Sequence, residues 1–247
     1  MGLGMRWIAI GASVTLLSSI GMAQRDASLG KVSVDAIVRS METAQVAVRP
    51  QISYQVIREY RLFSAQDSKA NSEVVAEVNF NPPASKDYRI QTASGSSRGQ
   101  QLVRRVLDHE VEGGASKSSS AISRDNYTFN YLGEATLDGY ACYVLQLKPK
   151  RTEKDLIAGE VWVDKTSFLI RQIEGEAEKT PSWWLKQVRV KLKFADMQGI
   201  WVQTNLEATA DVRFMGTHTL TSQMLDCRRQ NEVAVTPVSG HSRVRKR

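Results

Sequence analysis

The chain has 247 residues and a mass of 27.5 kDa, with 42% hydrophobic residues and 33 Lys/Arg against 26 Asp/Glu, a formal charge of +7. This ordinary composition excludes a collagen-like, coiled-coil or wholly disordered chain, and two cysteines exclude a disulfide-dense scaffold or a four-cysteine zinc site. The sequence pI ≈ 9.5 raises nucleic acid as a partner until the charges are located.

Arg6 followed by the apolar run Trp7 to Ile20 has the order of a signal peptide. Gly21-Met22-Ala23 supplies small residues for cleavage after Ala23, so residues 1–23 are expected to be removed. The run is short of the roughly 20 residues that span a bilayer. Gln24 at the new terminus is not a lipidated cysteine. The expected location is the periplasm, which permits disulfides. Cys142 and Cys227 are a candidate bridge, the alternative being two half-buried thiols.

After a linker (24–30), Lys31 to Val46 reads as a helix capped by Ser33, with Ile37, Val38 and Met41 on one face. Period-two alternation then predicts strands over Gln51–Phe63, Ser72–Phe80 and Asp87–Thr92. In the first of these, Tyr54, Val56, Arg58 and Tyr60 are in phase. An inward Arg58 could hydrogen-bond a covering helix or a lipid headgroup; at a strand end where the alternation breaks, it would reach solvent. Gln100 to Glu112 carries Leu102, Val103, Val106 and Leu107 at helical spacing, a stripe that packs on a sheet or acts as a lid. The following Gly113 to Ser120 is a flexible link.

From Tyr127 to Leu225 the chain predicts seven more strands: Tyr127–Leu132, Tyr140–Lys148, Ala158–Val163, Phe168–Glu178, Lys186–Ala195, Ile200–Phe214 and Thr217–Leu225. Glu174, Glu176 and Glu178 share one face, as do Arg189, Lys191 and Lys193 of the next strand. Pairing them as Glu174–Lys193, Glu176–Lys191 and Glu178–Arg189 makes a matched ladder, not a nucleic-acid stripe. Trp183 and Trp184 fall in the intervening turn, a rim position suited to lipid, a partner or capping of the core. The fold class is mainly β (α+β), a strongly curved antiparallel sheet with an N-terminal helix and an inserted lid-like helix.

Catalytic chemistry is sparse. His109, His218 and His241 are isolated, and neither a P-loop nor a GxGxxG motif occurs, so no metal and no cofactor is expected. Gly95-Ser96-Ser97-Arg98-Gly99 fits G-x-S-x-G, which makes Ser97 the nucleophile of a minor hydrolase alternative. That elbow belongs to a parallel α/β sheet, unlike the antiparallel meander expected here.

The segments Asp138-Gly139-Tyr140-Ala141-Cys142-Tyr143-Val144-Leu145, Gly159-Glu160-Val161-Trp162-Val163-Asp164 and Ile170-Arg171-Gln172-Ile173-Glu174-Gly175-Glu176, with Lys148–Arg151 and Val212–Gly216, carry a family likeness. Over residues 31–228 the chain resembles an uncharacterised exported branch of the outer-membrane lipoprotein-sorting, or periplasmic lipoprotein carrier, superfamily. The resemblance implies an unclosed β-barrel, helices over its open side and a cavity for acyl chains, without catalysis. The partners it implies are an acyl lipid or lipoprotein. A sensor or regulatory module for envelope stress, contacting an inner- or outer-membrane protein, is the alternative on the same fold. Arg243, Arg245, Lys246 and Arg247 end a basic tail (229–247) that is suited to an anionic membrane surface. Removing Arg6 and this tail leaves a nearly neutral body, so no nucleic acid partner is expected.

Overall fold

The computed structural model describes residues 33–64, 68–83, 85–112, 120–180, 185–213 and 216–230. The expected signal peptide and linker, Trp183 and Trp184, and the tail beyond Gln230 lie outside the described residues.

Helix α1 spans Val34–Ala47. Ser33 caps it, its Oγ accepting from the Ala36 N–H at 3.4 Å, and Ile37, Val38 and Met41 are buried, as their spacing predicts. Three antiparallel strands follow: β1 (Tyr54–Ser64), β2 (Ser72–Asn81) and β3 (Ser85–Gly95). Helix α2 (Ser97–Glu112) leads to β4 (Tyr127–Leu137), β5 (Tyr140–Pro149), β6 (Ile157–Asp164) and β7 (Ile170–Ala177). The last three are β8 (Leu185–Met197), β9 (Ile200–Val212) and β10 (Gly216–Arg229).

All ten strands form one sheet in the order β3-β2-β1-β10-β9-β8-β7-β6-β5-β4. Consecutive strands pair as hairpins except at one place, where β10 returns to pair with β1. The edges β3 and β4 do not meet, so the barrel is unclosed, and the connection between those two edges carries α2. Turn chemistry explains the sharp reversals. Asp138 and Gly139, both at positive φ (49° and 86°), fill a two-residue loop between β4 and β5, the conformation that an Asp-Gly pair adopts most readily.

Alternation places Val56, Tyr60 and Leu62 of β1 and Val74, Ala76 and Val78 of β2 on one buried face. Onto that face α2 lays Val103 and Leu107, fully buried, with Leu102 and Val106 half-buried beside them. Burying each such side chain contributes about 1.5–3 kcal/mol. At its start the helix comes close to β2: a Cβ on Gly99 would collide with Ser72 Oγ. Helix α1 packs against β4, and Glu42 fixes it there through Arg124, whose N–H and Nη2 donate at 2.7 and 2.8 Å.

Two sequence expectations are corrected. The β7–β8 ladder is displaced by two residues, pairing Glu174 with Lys191 and Glu176 with Arg189, while Lys193 lies opposite Gln172. Strand β7 ends at Ala177, so Glu178 is outside the ladder, and Lys193 bonds Asp138 at 3.0 Å instead. A shift of two leaves the facing of every side chain unchanged, so alternation cannot detect it. The candidate Cys142–Cys227 bridge is absent: both thiols are free and buried. Strands β5 and β10 are separated by four other strands in the sheet, so the two thiols do not sit on neighbouring strands.

Candidate functional site

Between the end of α1, the end of α2 and the helix-covered face of the sheet lies a cavity of about 300 Å³. Its apolar walls are Tyr54 and Val56 of β1, Val78 and Phe80 of β2, Phe194 of β8, and Trp201 and Val202 of β9. Val48 and Pro50, where the chain leaves α1, complete the mouth with Gln45 and Arg49. Tyr54 and Phe80 stack with ring centroids 5.0 Å apart.

Into this wall projects Arg58, only 6% exposed. The parity of β1 turns it inward, and α2 supplies its partner. Nη1 lies 3.4 Å from Oε2 of Glu110, and Nη2 donates to the Gln203 carbonyl at 3.1 Å. Lys86 of β3 donates to Oε1 of the same carboxylate at 3.1 Å. The third guanidinium donor, Nε, is buried without a hydrogen-bond partner. Two cations and one anion therefore converge where α2 ends.

The electrostatics follow from burial opposed by pairing. Burial pushes the Glu110 carboxyl up, but Arg58 and Lys86 outweigh it and hold it below its ordinary value. Burial also works against the Arg58 cation, and Glu110 together with Tyr60 and Tyr54 more than restores it. The hydroxyls of Tyr54 and Tyr60 are pushed up to about 12, chiefly by burial, so both stay neutral at physiological pH. Burial likewise raises both cysteine thiols, leaving little thiolate for nucleophilic chemistry.

Of the residues singled out in the sequence, Tyr54, Val56 and Arg58 line the cavity. Tyr60, Val103 and Leu107, with Leu102 and Val106, instead form the apolar seal between α2 and the sheet. Glu110 and Lys86 were not among the expected residues. Glu110 follows Val103 by seven positions, Val106 by four and Leu107 by three, so the apolar stripe itself points this carboxylate at the sheet. Phe194 and Trp201 reach the cavity from strands distant in sequence, which no local pattern reveals.

Ser97 is exposed at the start of α2, following an edge strand that is antiparallel to its neighbour. The parallel sheet that a nucleophile elbow needs is not built there, which corrects the Ser97 alternative. Exposed His109 faces Asp155 at 3.5 Å, and His218 opens β10 opposite Ser64. Among the described residues no three His, Cys, Asp or Glu side chains gather as a metal site, and no helix is long and apolar enough to cross a membrane.

A family model described as an uncharacterized protein matches residues 117–224. No curated protein matches the chain. Among solved structures, the chain is similar to a putative outer membrane lipoprotein-sorting protein domain from Vibrio parahaemolyticus: 13% identity, TM-score 0.44, covering 81% of this chain and 95% of that one. A DUF1329 family protein from Desulfovibrio piger shares 15% identity at TM-score 0.45, covering 81% of this chain and 95% of that one. A LolA superfamily protein from Nitrosomonas europaea shares 13% at TM-score 0.39, covering 81% of this chain and 94% of that one.

Proposed function

We propose that this chain is a lipid- or lipoprotein-binding, carrier-like protein of the periplasm that holds acyl chains in the cavity, without catalysis. Helix α2 is its lid, and the Arg58–Glu110–Lys86 cluster is the catch that holds the lid shut. The observation that carries this is the catch itself: an ion cluster set into the apolar seat of a helix, beside an aromatic-walled cavity.

The physical reason is comparative. A lid that never moved would be held at least as well by apolar side chains, because a buried ion pair often contributes no more than a hydrophobic replacement. Charged groups tolerate exposure, so an opened lid returns Arg58 and Glu110 to water at little cost. The cavity of about 300 Å³ lies at the small end for ligand pockets, and displacing α2 enlarges it toward the apolar seal below.

Extraction of the purified protein followed by mass spectrometry tests this. Recovered acyl lipid supports it, and an empty cavity paired with stable capture of a membrane protein favours a sensor role. A double Arg58→Leu/Glu110→Leu variant is expected to fold with unchanged or higher Tm and to take up a fluorescent fatty acid more slowly. Uptake at the wild-type rate would remove the catch from the mechanism.

A further inference from the structure

Helix α2 carries its charges in an order that its own dipole disfavours. Arg98 sits in the first turn, which has no acidic residue, while Glu110 and Glu112 sit in the last. Anions are stabilising at helix N-termini and cations at C-termini, so Arg98, Glu110 and Glu112 stand against the dipole, while His109 is the one basic residue of the last turn. For Glu110 the reversal is accounted for by Arg58 and Lys86. Arg98 has no such account.

Arg98, Arg104 and Arg105 are all exposed. They occupy the outward side of the N-terminal two-thirds of the helix, a stretch without an acidic residue from Ser97 to Leu107. Among the described residues the side chain of none of the three takes part in an ion pair or a hydrogen bond. Arg104 precedes Asp108 by four positions, yet the Asp108 carboxylate accepts from the Tyr88 hydroxyl at 2.6 Å. His109, next along the helix, faces Asp155. Asp108 is thus held by a neutral hydroxyl rather than by an arginine, and three guanidinium groups are exposed on the outward face of α2.

We infer that the outward face of α2 is a docking surface for an anionic lipid bilayer. Charge complementarity selects the partner: guanidinium groups bind phosphate readily, and each cation near an anionic surface contributes independently of any fitted pocket. Arg98, Arg104 and Arg105 are absent from the lining of the cavity beneath α2, whereas a peptide partner is ordinarily held in a groove or along a strand edge. The surface stands whatever the cavity holds. Its position does add a coupling: contact with headgroups acts on the same helix that Glu110 fastens from below.

The test is vesicle co-sedimentation of the protein as purified from cells, at low and physiological salt. Phosphatidylcholine vesicles are compared with phosphatidylcholine containing a third phosphatidylglycerol. The expected result is binding to the anionic vesicles alone, weakened on the order of 100-fold in the Arg98→Gln/Arg104→Gln/Arg105→Gln variant. The matching triple lysine variant should keep most of the binding, since a bilayer reads charge rather than fork geometry. Neutralising the four tail cations separately measures their share. The triple glutamine variant should melt at or above the wild-type temperature, because the reversed charge is relieved. Anionic-vesicle binding unchanged by the glutamine variant would overturn the docking surface, as would a loss of binding explained by a lowered Tm. Arginine-dependent capture of an acidic protein without vesicle binding would also overturn it. Fatty-acid uptake in free solution, measured alongside, shows separately whether the cavity function holds.

Discussion

Removing the Glu110 carboxylate while leaving Arg58 in place strands a buried guanidinium that Gln203 alone cannot satisfy. Glu110→Ala is therefore expected to destabilise the fold by about 3 kcal/mol, the usual penalty for breaking a buried pair, with the loss visible in chemical denaturation. Glu110→Gln keeps a hydrogen-bonding oxygen and should lose less. The pH dependence has a definite sign. The Glu110 carboxyl is held below its ordinary value by Arg58 and Lys86 against its burial, so its stabilisation is complete above that ordinary value. It is lost as pH falls through the lower folded value. The protection factors of α2 amides, with the intrinsic pH dependence of exchange divided out, should consequently be flat near neutrality and fall only below about pH 4; a fall between pH 6 and 8 would contradict the assignment. Arg58 was legible in the sequence as the charged member of an apolar phase. Glu110 was obscured because Asp108, His109 and Glu110 form a charge run, and which member turns inward depends on the helix phase.

At the scale of elements, the seat of α2 depends on a missing side chain as much as on Val103 and Leu107. Gly99→Val places carbon against Ser72 Oγ and Cβ, so the first turn must lift from β2. Overpacking of this kind costs about 1–3 kcal/mol. Faster exchange or proteolysis confined to α2 would locate it there, and loss of the whole sheet would show that the helix and sheet fold as one unit. The β7–β8 hairpin offers a register test. A double-mutant cycle exchanging the charges of Glu176 and Arg189 should show coupling of a few tenths of a kcal/mol, since both side chains are about half exposed or more. The pair Glu176 and Lys191 should show none. The parity of both strands was readable from their alternation, but their alignment was not. It is fixed by where β7 stops at Ala177, a matter of the whole sheet rather than of the local pattern.

For the whole molecule, alternation and turn residues gave the number of strands, their antiparallel sense and the interruption by α2. What they could not give was the junction of β1 with β10, because nothing local in either strand names a partner at the far end of the chain. That junction decides how the sheet assembles. Strands β1, β2 and β3 with α2 form one hairpin-connected block, β4 to β10 another, and among the described residues β1 against β10 is the only strand pairing that joins them. A pairing between the first and last strands raises the contact order of the fold and slows it, because a loop of nearly the entire domain must close first. Refolding is expected in milliseconds to seconds, and a chain ending at Val212 should leave the first block without protection from exchange. The cavity spans that seam, with Tyr54 and Arg58 on one side and Phe194 and Trp201 on the other. Strand β10, the last of the described strands, is thus the one that brings the two walls of the cavity together.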